Sequence, residues 1–246
     1  MRKVLLITGA SAGIGGATAR MAAMRGYDLM LSYHSNHDAA AAVAQAATKA
    51  GARVVLCAGD VANPDDISAL FARIDAEFGR LDGLVNNAGV VDTTAKVTDF
   101  THARLRRMFD INVIGAFLVA KEAVLQMQAQ GNGGSIVNVS SAAARLGSGN
   151  MFVDYAASKA ALDTFTKGLS DEVAPNGIRV NAVRPGVIET GIHAKGGEPD
   201  RASRIGPAVP LRRAGTADEV AEAILYLLSD AASYVTGTTL DVTGGR

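Results

Sequence analysis

The sequence predicts an α/β fold in which about seven parallel strands form one doubly wound sheet with helices on both faces. Short, near-continuous apolar runs alternate with longer amphipathic segments along the whole chain. Strands buried on both faces carry such runs, which is typical of a parallel sheet. The 246 residues show no internal repeat and no linker. We therefore expect a single domain over residues 1–246, with its ligand crevice at the carboxyl ends of the strands.

Seven apolar runs are the predicted strands. In chain order they are residues 4–7, 28–33, 53–58, 84–86, 135–139, 178–183 and 239–242. Amphipathic segments between them predict helices at residues 14–25, 38–50, 64–78, 100–130, 153–174 and 216–229. Two of these helices carry start signals: Asn63 precedes Pro64, and Thr216 precedes Glu219 at the capping-box spacing.

Residues 191–210 do not follow this alternation. The segment is rich in glycine and proline and mixes charges of both signs. A long stretch without regular structure inside a compact domain is usually a functional lid or a mobile loop. We therefore expect a loop that covers the substrate.

Composition and charge exclude several classes of function. Lys plus Arg number 24, and Asp plus Glu also number 24, so the chain lacks the strongly basic surface that nucleic-acid binding needs. Cys57 is the single cysteine, which excludes an internal disulfide and a cysteine-based zinc site. A single cysteine fits a reducing compartment, and its place in an apolar strand predicts a small core residue. No two of the four histidines are separated by the three to five residues typical of paired zinc ligands, and we expect each of them at the surface.

No apolar run approaches the ~20 residues of a membrane span. The apolar run at the start of the chain is also too short for a signal sequence. We therefore expect a cytoplasmic protein without a membrane partner.

A glycine-rich turn follows the first predicted strand. Residues 8–15 read TGASAGIG, and a helix follows at once. Glycines permit a tight turn and let backbone N–H groups approach a pyrophosphate, which then sits at the positive end of the helix. The spacing GxxxGxG differs from the usual fingerprint GxGxxG, and a plain strand–helix turn is the alternative. The context, between a strand and a helix, favours a nucleotide site.

The second strand ends in Tyr33, His34, Ser35 and Asn36, without an acidic residue. Related sheets that select NAD place an Asp or Glu there to hold the ribose 2′-hydroxyl. Because no carboxylate would repel a 2′-phosphate, and because Ser35 and Asn36 can donate to one, the sequence favours NADP over NAD. These four residues include no Arg or Lys either, which leaves the choice of cofactor open.

Tyr155 and Lys159 lie on one face of a predicted helix because they are four residues apart. A free tyrosine has a pKa near ~10, and a neighbouring ammonium lowers that pKa by stabilising the phenolate. Proton transfer then becomes practical near neutral pH. Alone, such a pair is usually an ordinary solvated pair. The pair indicates a catalytic site when it is taken with Ser140 and Ser141. These serines end the preceding strand, where a hydroxyl can polarise a carbonyl oxygen.

Taken together, these motifs resemble those of the short-chain dehydrogenase/reductase family over essentially the whole chain. The matching motifs are TGASAGIG at 8–15, Asp60-Val61, NNAG at 86–89, Asn112, Ser141, YAASK at 155–159 and RPG at 184–186. The resemblance implies a Rossmann-type fold and an NAD(P)-dependent oxidoreductase that acts on a carbonyl compound or a secondary alcohol. It also implies a homotetramer, or a dimer, built on the helices predicted at 100–130 and 153–174.

The resemblance assigns roles to individual residues. Tyr155 would be the catalytic acid/base, and Lys159 would lower its pKa and bind the nicotinamide ribose. Ser141 would orient the substrate oxygen, and Asn112 would hold a water in a proton relay. Ser141 precedes Tyr155 by one residue more than in many members, so Ser140 is the alternative. The residues implied for the cofactor are Gly9, Ser11, Ala12, Gly13, Ile14, Gly15, Tyr33, His34, Ser35, Asn36, Asp60, Val61, Asn87, Ala88, Gly89, Tyr155, Lys159, Pro185, Gly186, Ile188 and Thr190.

Two other functions remain open from the sequence. A 3-oxoacyl carrier-protein reductase has a similar sequence pattern and would benefit from a basic surface for its acidic carrier. Arg104, Arg106 and Arg107 are the one feature that favours it, although we interpret them first as a solvated helix face. The second alternative is a nucleotide-binding sensor that has lost the chemistry, and the complete set of catalytic residues argues against it.

The sequence does not identify the substrate. Specificity would come from the shape of residues 142–153 and 191–210. Met151, Phe152 and Val153 either pack on the substrate or fill the start of a helix.

Overall fold

Seven parallel strands form one sheet, as the sequence predicts. The computed structural model describes residues 2–246. The strands are β1 (Lys3–Ile7), β2 (Tyr27–Tyr33), β3 (Val54–Ala58), β4 (Gly83–Asn86), β5 (Gly134–Val139), β6 (Ile178–Pro185) and β7 (Thr239–Val242). Their order is β3-β2-β1-β4-β5-β6-β7, and every neighbouring pair is parallel. The order in which successive strands are added to the sheet reverses between β1 and β4, which is the switch point where such sheets bind ligands.

Helices connect the strands and cover both faces of the sheet. They are α1 (Gly13–Met24), α2 (His37–Lys49), α3 (Pro64–Phe78), α4 (His102–Phe109), α5 (Ala116–Gln130), α6 (Ala143–Leu146), α7 (Val153–Val173), α8 (Ile192–Lys195), α9 (Arg201–Ile205) and α10 (Ala217–Leu228).

Two predicted segments are corrected. The single helix expected at 100–130 is divided into α4, a π-helical segment at Asp110–Gly115, and α5. The loop expected at 191–210 contains α8, α9 and a 3₁₀ turn at Gly206–Ala208. Helices of four or five residues are too short for apolar periodicity to reveal them, and a π-helical turn has no separate sequence signal.

Two hydrophobic layers lie on opposite faces of the sheet. On one face, Leu5 and Ile7 of β1 pack in a layer formed with α1, α2 and α10. On the other face, Leu6 of the same strand packs in a layer formed with α3, α5 and α7. Successive residues of a strand point to opposite faces, so one central strand contributes to both layers. All three side chains are fully buried, which fixes the position of the turn that follows β1.

Helices α3 and α10 begin where the sequence predicts. The side chain of Asn63 accepts a hydrogen bond from the Asp65 N–H at 3.0 Å, and Pro64 opens α3. At α10, the side chains of Thr216 and Glu219 each accept from the other residue's backbone N–H, which completes a capping box.

Cys57 differs from its prediction. It lies on β3, an edge strand with only β2 beside it, and it is partly exposed. Its side chain still packs against the layer formed with α3, α5 and α7. Within residues 2–246, no helix combines the length and apolar character needed to cross a membrane. The same part of the chain holds no cluster of three or more His, Cys, Asp or Glu that could bind a metal ion.

Candidate active site

The carboxyl ends of four strands lie side by side at one end of the sheet, which we call its carboxyl edge. Strands β1, β4, β5 and β6 are consecutive neighbours and run in the same direction. Their carboxyl ends therefore bring together the four predicted motifs: the glycine turn, the NNAG segment, the serine pair and the RPG segment. The geometry of this edge is the candidate active site.

The glycine turn is fixed to the segment that follows β4. The hydroxyl of Thr8 accepts hydrogen bonds from the backbone N–H groups of Asn87 and Ala88, each at 3.0 Å. The Asn87 amide donates in return to the carbonyls of Thr8 at 2.9 Å and Gly9 at 3.1 Å. A Cβ at Gly15 would lie 2.5 Å from the Gly9 carbonyl oxygen, so only glycine fits there.

The amino end of α1 can accept an anion. Ala12 precedes the helix, and no side chain caps its first N–H groups. The first turn also lacks an acidic residue, so the positive end of the helix dipole is not neutralised by the protein. Thr190 lies beside this turn, because a Cβ on Gly13 would be 3.5 Å from its Cγ2. Backbone donors on a tight glycine turn fit the pyrophosphate of a dinucleotide.

The end of β2 carries no acidic side chain near the turn. Tyr33 is buried, and its hydroxyl lies 2.8 Å from Nδ1 of His37. The side chain of Asn36 caps α2 by accepting from a backbone N–H at 3.0 Å. His34 and Ser35 are exposed at this edge. They are therefore the predicted residues of this strand end whose side chains are available to a ligand.

Asp60 and Val61 follow β3 in a tightly bonded turn. The Asp60 N–H donates to Oδ2 of Asp66 at 2.8 Å, and Oδ1 of Asp60 accepts from the Ala62 N–H at 2.9 Å. The same carboxylate lies 3.8 Å from Nε2 of His34. This turn places Asp60 next to the end of β2, where the adenosine half of a dinucleotide binds in such sheets.

Ser141 rather than Ser140 meets Tyr155. Burial raises the pKa of Tyr155, and a hydrogen bond with the Ser141 side chain partly opposes that rise. Ser140 is buried, and its hydroxyl donates to the Lys159 carbonyl at 3.1 Å. The extra residue in the Ser–Tyr spacing therefore does not displace Ser141 from Tyr155. It lies in residues 142–153, which include the short helix α6.

Lys159 is buried on α7 close to Tyr155. Its Nζ donates to the Val139 carbonyl at 2.9 Å and lies 5.8 Å from the centroid of the Tyr155 ring. Burial lowers the pKa of Lys159 from 10.5 to about 8, while the nearby Asp163 carboxylate acts in the opposite direction. The sequence predicted a lowered pKa for Tyr155. In this structure the pKa is raised instead, because burial outweighs the other effects.

Asn112 lies fully buried in the π-helical segment. Its Oδ1 accepts from the Val90 N–H at 2.8 Å, and its Nδ2 donates to the Val90 carbonyl at 2.9 Å and to Oγ of Ser158 at 3.0 Å. The Ser158 hydroxyl donates to the Tyr155 carbonyl at 2.7 Å. Gly89 packs closely against this side chain, because a Cβ at Gly89 would lie 3.3 Å from Oδ1 of Asn112. Asn112 thus ties the segment after β4 to α7, and its role toward water stays a prediction.

The segment after β6 turns back toward the glycine turn. The carbonyl of Pro185 accepts from the Ala142 N–H, and the Gly186 N–H donates to Val242, each at 2.9 Å. Ile188 is buried in the layer formed with α1, α2 and α10 and makes an isolated parallel bridge to Gly215. Its side chain is therefore a core residue, and Thr190 is the member of this segment that reaches the turn.

Residues 191–210 lie against the start of α7. A Cβ at Gly196 would be 3.4 Å from Cγ1 of Val91 and 3.6 Å from Cζ of Phe152. The guanidinium carbon of Arg201 lies 5.4 Å from the centroid of the Phe152 ring. Phe152 is thereby buried between this segment and the segment after β4. It fills the start of the helix, and its contact with a substrate stays a prediction.

Two predictions about charged side chains are corrected. His193 is half-buried rather than on the surface, with Nε2 2.9 Å from the Ile188 carbonyl, and burial lowers the pKa of its imidazole. Arg104 leaves the predicted solvated cluster, because it forms a buried ion pair with Asp154. The other two arginines of that cluster remain exposed beside acidic residues.

Sequence reasoning missed three residues of this edge. Thr8 and Ser158 stand inside the quoted motifs, and their hydroxyl groups connect segments that are far apart in the chain. Asp154 precedes Tyr155 directly, and its carboxylate accepts from the Tyr155 N–H at 2.9 Å. A short polar side chain inside a motif is a signal for attention, but its partner depends on the tertiary structure.

Comparison with known proteins is consistent with this geometry. The model of the enoyl-(acyl carrier protein) reductase family matches residues 9–246. The uncharacterized oxidoreductase YgfF of Escherichia coli strain K12 is 49% identical over 245 residues, which are 99% of each chain. The chain belongs to the short-chain dehydrogenase/reductase family. Its predicted family and its Rossmann-type fold are therefore confirmed.

Other members of the short-chain dehydrogenase/reductase family resemble the chain over nearly its full length. Cis-4-hydroxycyclohexanecarboxylate dehydrogenase of Sinomonas cyclohexanicum is 40% identical over 243 residues, which cover 99% of this chain and 96% of the relative. The crystal structure of acetoin dehydrogenase YohF from Salmonella typhimurium has a TM-score of 0.90 at 34% identity, covering 100% and 96% of the two chains. The chain is an oxidoreductase that transfers a hydride between a nicotinamide cofactor and an alcohol or carbonyl group.

Proposed function

We propose that this chain interconverts a ketone and a secondary alcohol with Tyr155 as the acid/base. The observation that supports this most directly is the buried Nζ of Lys159, which lies 5.8 Å from the centroid of the Tyr155 ring, with Ser141 close to Tyr155 at the carboxyl edge of the sheet. A nicotinamide cofactor, when bound at this edge, would supply or accept the hydride. A substrate carbonyl oxygen held between these two hydroxyl groups accepts a hydrogen bond from Ser141, and Tyr155 delivers the proton to it.

The protonation states of the site suit reduction at neutral pH. Because burial raises the pKa of Tyr155, its hydroxyl carries a proton to donate. Because the pKa of Lys159 is about 8, its ammonium is charged below that pH and can stabilise the phenolate that remains. Oxidation of an alcohol needs the phenolate first, so we expect that direction to be favoured at higher pH.

Asn112 is proposed to take part in returning a proton to Tyr155 through a bound water. Both hydrogens of its side-chain amide are donated within the protein, to Val90 and Ser158. The backbone carbonyl or the second lone pair of Oδ1 would therefore hold that water. The same bonds keep Ser158 against the first turn of α7, where Tyr155 lies.

The proposed cofactor is NADP(H) in preference to NAD(H). Its pyrophosphate would lie on the glycine turn at Gly9 to Gly15, with Thr190 beside it. The 2′-phosphate would lie at the end of β2, where His34 and Ser35 are exposed and residues 33–36 include no carboxylate. The exposed imidazole of His34 would donate a hydrogen bond to that phosphate.

The proposed substrate is a small secondary alcohol or the corresponding ketone. Two similar proteins act, by their names, on cis-4-hydroxycyclohexanecarboxylate and on acetoin. Both molecules carry a secondary hydroxyl group on a compact carbon skeleton. We propose that Val91, Phe152 and the side chains of residues 191–210 select among such molecules, because they pack against one another beside the start of α7, where Tyr155 lies.

We further propose one domain over residues 1–246, assembled as a homotetramer in the cytoplasm. Helix α5 and the π-helical segment before it expose Ile114, Phe117 and Leu125, and contiguous exposed apolar side chains mark interaction surfaces. The ring of Phe117 stacks on that of Phe165 of α7 at 3.7 Å, so both helices contribute to this face. The single thiol of Cys57 is compatible with a reducing compartment.

The two alternative functions have less support. The hypothesis of a carrier-protein reductase depends on a basic surface formed by Arg104, Arg106 and Arg107. Arg104 is not available to an acidic carrier, because Asp154 holds it in the interior. The hypothesis of a nucleotide-binding sensor requires that one or more catalytic residues be missing. Ser141, Tyr155 and Lys159 are instead present and close together at the carboxyl edge of the sheet.

The proposal is tested by following NADPH and NADH consumption at 340 nm against sugars, acyclic and cyclic ketones, quinones and 3-oxoacyl thioesters. We expect steady turnover with a compact ketone and a higher kcat/KM with NADPH. Turnover confined to the 3-oxoacyl thioesters would replace the proposed substrate class with the carrier-protein alternative. Nucleotide binding without turnover of any carbonyl compound would contradict the proposed chemistry and favour the sensor.

A further inference from the structure

A buried ion pair joins Arg104 to Asp154, the residue that directly precedes Tyr155. The Nε of Arg104 donates to Oδ2 of Asp154 at 2.7 Å, and its Nη2 lies 3.3 Å from Oδ1. The two side chains are 10% and 0% exposed. Burying two charges costs solvation, so such a pair persists only where the geometry is favourable and further hydrogen bonds complete it. In this pair the further hydrogen bonds are made with the backbone N–H of Tyr155 and with the Thr93 carbonyl.

Asp154 connects the ion pair to Tyr155. It lies in the first turn of α7, and its Oδ1 accepts from the backbone N–H of Tyr155 at 2.9 Å. That N–H has no partner within the helix, because the first four N–H groups of a helix are left unpaired. The carboxylate held by Arg104 therefore fixes the backbone from which the Tyr155 side chain projects.

Arg104 also bonds to the segment that follows β4. Its Nη1 donates to the Thr93 carbonyl at 2.8 Å, and its guanidinium carbon lies 4.7 Å from the centroid of the Phe100 ring. Thr93 in turn approaches the substrate-side segment, because a Cβ on Gly197 would lie 3.6 Å from its Cγ2. One guanidinium group thus bonds both to the start of α7 and to the loop that faces residues 191–210.

We propose that Arg104 is a positioning residue for the reaction, which holds Tyr155 through Asp154 and the substrate-facing loop through the Thr93 carbonyl. The inference rests on the proposed function of Tyr155. Its consequence is that loss of Arg104 lowers kcat and raises the KM of the carbonyl substrate, while the glycine turn and nucleotide affinity stay unchanged. Small displacements of a reacting group are enough for a large loss of rate, about a hundredfold for a shift near 1 Å.

An ordinary stabilising ion pair elsewhere in the chain provides the matched control. Arg80 bonds to Asp82 at 2.9 Å, and the same carboxylate accepts from the Val4 N–H at 2.7 Å. This pair lies near the amino ends of β1 and β4, on the edge of the sheet opposite the candidate active site. Replacing Arg80 with Gln removes a buried carboxylate's partner without touching the site.

The test compares Arg104→Gln, Arg104→Lys and Arg80→Gln with the unchanged protein. Steady-state kinetics give kcat and KM, NADPH fluorescence gives the nucleotide Kd, and hydrogen–deuterium exchange reports peptides covering the first turn of α7 and residues 91–96. We expect Arg104→Gln to lose about a hundredfold in kcat. We also expect faster exchange in both of those peptides and an unchanged nucleotide Kd.

Arg104→Lys keeps the charge but not the bidentate geometry, so an intermediate kcat is expected. Arg80→Gln should keep its kcat even where its melting temperature falls. The inference is overturned if exchange at the start of α7 is unchanged in Arg104→Gln, or if both Gln variants lose kcat alike. Exchange does not depend on turnover, so it judges Arg104 even if the unchanged protein reduces no carbonyl compound, an outcome that counts against the proposed function alone.

Discussion

The Nζ of Lys159 lies 5.8 Å from the centroid of the Tyr155 ring and donates a hydrogen bond of 2.9 Å to the Val139 carbonyl. The two residues lie on one face of α7, and Lys159 is almost completely buried. Burial lowers the pKa of this lysine from 10.5 to about 8. A charged group is thus held in the interior at neutral pH, which is unfavourable for stability and useful beside a developing phenolate.

We predict that Lys159→Met raises the stability of the protein at pH 7 while it abolishes turnover. The folded protein must keep a buried ammonium below pH 8, and the difference between pKa values of 10.5 and about 8 corresponds to roughly 3 kcal/mol. Loss of the bond to the Val139 carbonyl offsets part of this gain, so we expect about 1–3 kcal/mol. Urea unfolding at pH 7 measures it, and a less stable variant would contradict the expectation.

The same pKa difference predicts how stability depends on pH in the unchanged protein. Between pH 8 and 10.5 the unfolded chain binds a proton at this lysine and the folded chain does not, so the contribution of Lys159 to stability increases with pH in that window. Unfolding free energies of the unchanged protein and of Lys159→Met should therefore converge as the pH approaches 10.5. Lys167→Met, on the exposed side of the same helix, is the control for replacing a lysine of α7 that is not buried.

We predict different consequences for the two adjacent serines. Ser141→Ala should lower kcat by about 10² to 10³, because it removes the proposed donor to the substrate oxygen. Ser140→Ala removes a buried hydrogen bond to the Lys159 carbonyl, so it should cost about 1 kcal/mol in stability and leave kcat nearly unchanged. Kinetics and thermal unfolding of both variants decide between them. A larger loss of kcat in Ser140→Ala than in Ser141→Ala would show that Ser140, and not Ser141, contacts the substrate oxygen.

We predict that His34→Arg increases the preference for NADPH. A permanent guanidinium at the exposed end of β2 can form charge-assisted hydrogen bonds with a 2′-phosphate, which are worth about 1.5–3 kcal/mol. The ratio of kcat/KM for NADPH to that for NADH should therefore rise about tenfold or more. His102→Arg adds the same charge to the exposed start of α4 and should leave the ratio unchanged. An equal ratio in both variants would place the phosphate elsewhere.

Much of the fold follows from local patterns in the sequence. The runs 4–7 and 239–242 are apolar and short, and the strands found there differ from the prediction by at most one residue. The parallel order could be predicted because each strand is followed by a helix. The break at Asp110–Gly115 could not, since a helical pattern continues through it and the wide turn depends on how Asn112 bonds to the segment after β4.

The site is predictable as a set of motifs, but the bonds between them are not. The spacing of Tyr155 and Lys159 predicts one helix face, and the glycine pattern predicts a turn before a helix. Arg104, in contrast, looks like part of an exposed basic cluster in the sequence. It is drawn inside because the fold brings Asp154, 50 residues further along the chain, to its guanidinium group. Partners this distant leave no periodic signal.

Tyr155→Phe tests the central claim most directly. The carbonyl compound that the unchanged protein reduces fastest is assayed at 340 nm, and NADPH fluorescence gives the nucleotide Kd with little protein background, since the chain has no tryptophan. We predict that turnover is lost while the nucleotide Kd stays within error, because only the hydroxyl that carries the proton is removed. Tyr234→Phe changes a fully exposed hydroxyl and should behave as the unchanged protein. Undiminished turnover in Tyr155→Phe would show that another group delivers the proton.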